Sequence, residues 1–249
     1  MEENGFVENH SILRSIILSL TPGFLILLFF ILFAPLASQK GLPAMLVIFT
    51  AIPLVLVPFE LGYLFYQGKK LNGRFSLKGI VLFKDKISIW QFFVFVPLLF
   101  IWAAFCFGVI ATKTDQIFID KFFKWLPSWF FINGFIQNIG QYSRVVLLFT
   151  IVLGFIFNGF VGPIVEELYF RGYLLPRLKQ IGVWAPLLNI LLFSFYHFFT
   201  PWQNVTRILA LLPLVYIVWW KRNIYIGMIT HCTLNTVGMI GTILMLYKT

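Results

Sequence analysis

A chain of 249 residues that is 60% hydrophobic, only 11% charged and +0.90 in mean hydropathy has too little polar surface to coat a soluble globule of its size. Apolar stretches of about 20 residues, each enough to cross a hydrocarbon core of about 30 Å, recur along its length. They leave no room for a separate soluble domain, so residues 1–249 are expected to form one integral-membrane domain. The formal charge of +10 falls mainly in short segments between apolar runs. There anionic lipid headgroups are the nearer partner, and no nucleic-acid role is expected.

In chain order, the first span is expected over residues 12–34, longer than a signal-peptide core and followed by Pro35-Leu36-Ala37, a poor cleavage site. A second span over 42–66 contains Glu60. The basic loop 67–88 with Lys69, Lys70, Arg74, Lys78, Lys84 and Lys86 follows, read as an orientation signal rather than a substrate-recruiting patch. A third span is expected over 89–111. The segment from Phe118 to Phe135, with two tryptophans and six phenylalanines around Asp120, Lys121 and Lys124, suits a helix lying in the interface. Further spans are expected over 145–170, 183–199, 205–220 and 224–246. The expectation is therefore an all-α, polytopic transmembrane helical bundle of seven helices, or eight if the aromatic segment crosses. With seven, 12 of the 19 Lys and Arg fall on the side of loops 67–88, 171–182 and 221–223 plus Arg14, which puts the N-terminus in the cytoplasm. Cys106 and Cys232 sit singly in apolar runs, which suits packing rather than a disulfide or a thiolate metal site.

An ionisable side chain at mid-membrane costs about 2.5 to 3.5 kcal/mol on insertion scales, so each one invites a functional reading. Of the nine acidic residues only Glu60, Glu166 and Glu167 lie in apolar stretches, and of the three histidines only His10 lies outside them. Glu167 and Arg171 are spaced i,i+4 in the orientation that favours an ion pair. Glu166 is rotated by about 100° from its neighbour on a regular helix, which leaves it without a partner in sequence and free to serve as a base. Phe193 and His197 share one helical stripe at the end of their span, and His231 and Asn235 share another about two turns into the last span. Two donors converging in a dry site are what a tetrahedral oxyanion needs. Glu60 is expected to pair with a lysine of the basic loop. The depths of His197 and His231 do not agree on straight helices, so either the expected span boundaries are off or the chain bends near Gly162-Pro163 and Pro201.

In order, Glu166-Glu167-Leu-Tyr-Phe-Arg171, Phe193 with His197, and His231 with Asn235 resemble the EExxxR, FxxxH and HxxxN motifs of the CPBP family. These are the CAAX-protease and bacteriocin-processing membrane proteases, which include the type II CAAX prenyl endopeptidases. Phe170 and Gly172 extend the first motif, and the resemblance covers about residues 145–246, while the first 140 residues match only in being hydrophobic helices. It implies an intramembrane polar cavity in which Glu166 and His197 activate a water and His231 and Asn235 hold the oxyanion. Glu167, Arg171 and Phe193 would support them. A metal-dependent version, also proposed for the family, would have Glu166, His197 and His231 ligate zinc. The metal-free, glutamic-type version is favoured, with no cofactor.

The reading is an endopeptidase of the cell membrane, expected to be the bacterial plasma membrane. Its partners would be membrane lipid and a membrane-associated peptide or lipidated protein, and its role could lie in peptide maturation. The rivals are a proton-coupled transporter relaying through Glu60, Glu166 and His197, and a non-catalytic immunity protein that sequesters a peptide.

Overall fold

The computed structural model describes residues 8–131 and 139–246, and all its regular elements are helical. α1 (Ile12–Gln39) starts where Ser11 Oγ accepts the Arg14 amide at 3.1 Å. α2 (Ala44–Asn72) ends at Gly73, whose φ of 70° suits the left-handed closing residue of a helix. α3 (Ile89–Phe123) is followed by a short turn at Ser128–Phe130. α4 (residues 144–174) is capped by Ser143, and a tight-turned stretch, Leu175–Trp184, joins it to α5 (Ala185–Tyr196). α6 (Asn204–Lys221) and α7 (Ile224–Leu246) are separated by Arg222 at φ 50° and by Asn223, whose Oδ1 accepts the Ile226 amide at 3.2 Å.

Among the described residues six helical runs are long and apolar enough to cross a membrane, against the seven or eight expected. The difference lies at two places. The fifth expected span, 183–199, contains a helix of only 12 residues, about 18 Å at 1.5 Å per residue, too short for a 30 Å core. α5 instead continues from α4 within one 53-residue run, kinked at Gly182 with φ 55° and ψ −127°. No separate interfacial helix forms over the described part of 118–135: α3 runs unbroken through Phe118 to Phe123, and residues 132–135 lie outside the described residues. Its polar stretch stays helical because Asp115 turns inward to accept a hydrogen bond from Thr206 Oγ1 at 2.8 Å.

Two features bring the helices to one place. Wide turns with i to i+5 hydrogen bonds accompany three of the membrane prolines, at Ile52–Leu56 around Pro53 and before Pro58, and at Gly154–Val161 before Pro163. A proline lacks an amide donor and crowds the carbonyl four residues back, and widening the turn satisfies the freed groups without breaking the helix. Of the two places where a bend was expected, Gly162-Pro163 therefore stays helical, while the chain does leave the helix between His197 and Pro201. The second feature is close contact at glycine. A Cβ on Gly23 would overlap the carbonyl of Tyr196, so α1 lies directly against the end of α5. On the basic side, the 77–87 loop docks on these helices through Leu82 N to Gly172 O at 2.8 Å and Ile224 N to Phe83 O at 2.8 Å.

Candidate active site

Glu166 lies on α4, buried, between the two histidines. Its Oε1 stands 3.9 Å from His197 Nε2 and its Oε2 stands 3.8 Å from His231 Nε2. The two imidazoles reach the same carboxylate although their helices carry them at different distances from the helix starts. α5 stops after 12 residues, and His197 is the first residue beyond it, with φ −81° and ψ 56°. The non-helical turn lets its ring fold back toward α4.

The other nitrogen of each ring fixes the tautomer. His197 Nδ1 is 2.8 Å from the carbonyl of Phe193, which can only accept, so Nδ1 carries the proton. His231 Nδ1 is 3.2 Å from Glu167 Oε1, and Glu167 is ion-paired with Arg171, Nε to Oε2 3.5 Å. That carboxylate accepts, so Nδ1 carries the proton here as well. In its neutral form each ring would therefore present an Nε2 lone pair toward Glu166. A neutral His231 has its one N–H engaged by Glu167, so it reaches an oxyanion as a donor only in the doubly protonated form.

Phe193 separates Arg171 from the two rings. The guanidinium lies over it at 4.0 Å, while His197 and His231 meet it edge-on at 4.8 Å and 6.0 Å. Asn235 Nδ2 donates to the carbonyl of Asn158 at 2.9 Å, which turns the amide toward the cavity with a second N–H to spare. The cavity has a volume of about 570 Å³. Glu166, His197, His231 and Asn235 lie in its wall with Asn158 and Arg207, and much of the rest is apolar, as at Ile48, Phe49, Phe100, Leu211 and Met239.

Two further residues stand near this centre: Tyr196, which was not anticipated there, and Glu60, which only the transporter reading placed beside Glu166. Tyr196 donates its hydroxyl to Glu166 Oε1 at 3.1 Å. A tyrosine in an apolar run brings a polar tip that needs a partner when buried, and that is the signal in the sequence that points to this contact. Glu60 makes no ion pair with a lysine of the basic loop among the described residues. It is fully buried, on the stripe of Leu56, Leu64 and Gly68 that faces the core, with Glu166 and Arg171 as its charged neighbours. The i,i+4 spacing of Leu56, Glu60 and Leu64 already pointed inward. As for zinc, Glu166, His197 and His231 have the donor chemistry of an open zinc site. As arranged, however, no three His, Cys, Asp or Glu side chains among the described residues form a metal-ligating group.

Residues 148–237 match the Rce1-like family, described as type II CAAX prenyl endopeptidase Rce1-like. That stretch holds every one of the residues just described on α4 to α7 from Thr150 through Asn235. Neither the curated proteins nor the solved structures gave a match. The six apolar helices among the described residues suggest a multi-pass membrane protein that is similar over residues 148–237 to CAAX-type proteases.

Proposed function

We propose that the chain is an intramembrane endopeptidase of the cell membrane that hydrolyses a peptide bond by an activated water, with Glu166 and His197 as the activating pair. The observation that carries this reading is the convergence of two imidazole Nε2 atoms on one buried carboxylate, at 3.9 Å and 3.8 Å. A water held between Glu166 and His197 can donate to both, since two acceptors 3.9 Å apart lie within reach of one molecule. Its oxygen attacks the scissile carbonyl carbon while its proton passes to Glu166. The carbonyl oxygen becomes an anion that accepts from the free N–H of Asn235 and from His231, which serves here as the doubly protonated ring between Glu166 and Glu167. When the carbon–nitrogen bond breaks, Glu166 returns the proton to the departing amine. Glu167, Arg171 and Phe193 hold His231 in its tautomer and keep the guanidinium away from the reacting atoms. No covalent acyl-enzyme is needed and no step requires a metal.

The family's description as a prenyl endopeptidase and the apolar wall of the cavity support a substrate carrying a lipid or strongly apolar side chains beside the scissile bond. The test is cleavage of a peptide library, with and without prenylated members, by the purified chain in detergent. Glu166→Gln and His197→Ala should each abolish cleavage, and an excess of chelator should leave the wild type unchanged. Cleavage surviving both substitutions would remove the assignment. Loss on chelation with recovery on zinc would transfer Glu166, His197 and His231 to the metal-dependent version. Proton flux into liposomes abolished by Glu60→Gln would favour the transporter, for which the closeness of Glu60 to Glu166 is the supporting observation.

A further inference from the structure

We propose that Arg207 is a positioning residue for His197: it clamps the non-helical turn that carries the imidazole, from both sides. The inference rests on the peptidase reading above. His197 is followed by irregular chain through Thr200, at φ −140° and ψ 58°, before the short turn Pro201–Gln203 leads into α6. The amides of Phe198, Thr200 and Gln203 bond to backbone carbonyls within the turn, and Arg207 is the side chain that ties the two ends of the turn together, through one backbone carbonyl and three side-chain oxygens. It lies on the first turn of α6 and is buried. Its Nη1 donates to the carbonyl of Ser194 at 3.3 Å and to Asn204 Oδ1 at 3.2 Å. Its Nη2 donates to Thr200 Oγ1 at 2.8 Å and to Gln203 Oε1 at 3.2 Å. The grip therefore holds the chain three residues before His197 and three residues after it. Ser194 Oγ closes the same loop by donating to the carbonyl of Asn204 at 2.9 Å.

The chemistry of the partners explains why an arginine stands there. All four acceptors are neutral, and among the described residues no carboxylate lies within ion-pair distance of the guanidinium. Asp115, the acid on the adjoining helix, is taken by Thr206 at 2.8 Å. A planar fork with donors on two nitrogens spans two segments of a turn, whereas a lysine offers one point of attachment. The consequence reaches the reacting atoms. The Nδ1 bond of His197 to Phe193 and its Nε2 approach to Glu166 both depend on where the turn places Cα of His197, and a displacement of about 1 Å in such a group costs on the order of 100-fold in rate.

The test uses the full chain in detergent with the peptide substrate, after wild type and Glu166→Gln have been compared. Arg207→Gln is expected to lower kcat about 100-fold with KM held within about threefold. Thr200→Val, which removes one contact, should lower kcat by about tenfold, and Arg207→Lys should recover part of the loss because it keeps one donor. Independently of any substrate, mass-spectrometric mapping of diethyl pyrocarbonate modification should show His197 reacting faster in Arg207→Gln while His231 keeps its wild-type rate. If wild type cleaves nothing, the peptidase reading fails and this modification pattern still decides the clamp. Should Arg207→Gln fail to fold, Thr200→Val and Gln203→Ala, each removing a single bond, take its place. Unchanged kcat and unchanged His197 reactivity in the folded variants would overturn the proposal. So would a rise in KM alone, which would assign Arg207 to an anionic group of the substrate.

Discussion

Glu167 Oε1 receives the Nδ1 proton of His231 at 3.2 Å, and its other oxygen faces Arg171 Nε at 3.5 Å. One carboxylate thus orients an imidazole on α7 and neutralises a guanidinium on its own helix. Replacing it by Gln removes the charge and lets the amide present either an oxygen or an NH₂ to the ring, so the wrong tautomer becomes available. Comparable losses of an orienting carboxylate cost from about 10² to about 10⁴ in rate. Glu167→Gln should lower kcat within that range and raise KM little, measured by steady-state cleavage. It also leaves Arg171 without its ion pair in a fully buried position, so the melting temperature should fall.

Tyr196→Phe tests the one direct hydrogen bond to the proposed base. The hydroxyl is buried and 3.1 Å from Glu166 Oε1, and a hydrogen bond to a charged group contributes about 1.5 to 3 kcal/mol. The substitution should cost about 10- to 100-fold in kcat while the aromatic packing on Phe170 and Phe193 persists. Unchanged kinetics would mean that Tyr196 packs the site without tuning Glu166.

The glycines offer a steric test with an internal control. A Cβ on Gly227 would meet the carboxylate of Glu167, and one on Gly23 would meet the carbonyl of Tyr196, whereas nothing lies within 4 Å of a Cβ on Gly62. Gly227→Ala should push Glu167 away from His231 and lose activity with a stability cost of about 1 to 3 kcal/mol. Gly23→Ala presses on backbone, which yields less readily than a side chain, and should cost more stability. Gly62→Ala should be neutral or gain up to about 1 kcal/mol from lower unfolded-state entropy. Thermal denaturation of the three in one detergent, with cleavage rates beside it, checks the ranking.

These contacts show which parts of the site could be read from the chain alone. The ion pair of Glu167 with Arg171 and the sharing of a stripe by Phe193 and His197 are local in sequence, so helical spacing was enough to expect them. Convergence of His197 and His231 on Glu166 is not local. It depends on α5 ending after 12 residues and on a wide turn around Pro163, and hydropathy sees neither, because Phe198 and Phe199 prolong the apolar run past the end of the helix. For the same reason a span was expected over 183–199 where the chain makes only a short helix. Asp115 illustrates the opposite error. It lies beyond the expected end of the third span at residue 111, yet Thr206 on α6 hydrogen-bonds to the carboxylate and α3 continues. The clamp of Arg207 on Thr200 and Gln203 was hidden because both partners lie in the irregular chain and tight turn before α6, where helical spacing does not say which side chains meet.

The N-terminal segment supplies a pH-dependent prediction that lies outside the membrane spans. His10 is buried against Tyr173, its ring 5.4 Å away, and its backbone is tied by His10 N to Arg177 O at 3.0 Å and by Gln180 Nε2 to His10 O at 2.7 Å. Burial pushes its pKa down to about 4, with Arg14 and Arg177 adding repulsion and Glu8 opposing them weakly. Unfolded or undocked, the ring titrates near 6.5. Between these values the undocked state binds more protons than the docked one, so docking weakens as the pH falls from about 6.5 toward 4 and is constant above that window. The segment should therefore release in mild acid before the bundle unfolds. Hydrogen exchange at residues 8–15, followed from pH 7.5 to 4.5, should accelerate beyond the intrinsic pH trend in the wild type. His10→Gln, which cannot take up a proton, should lose that acceleration, and a wild type showing none would place the titration elsewhere.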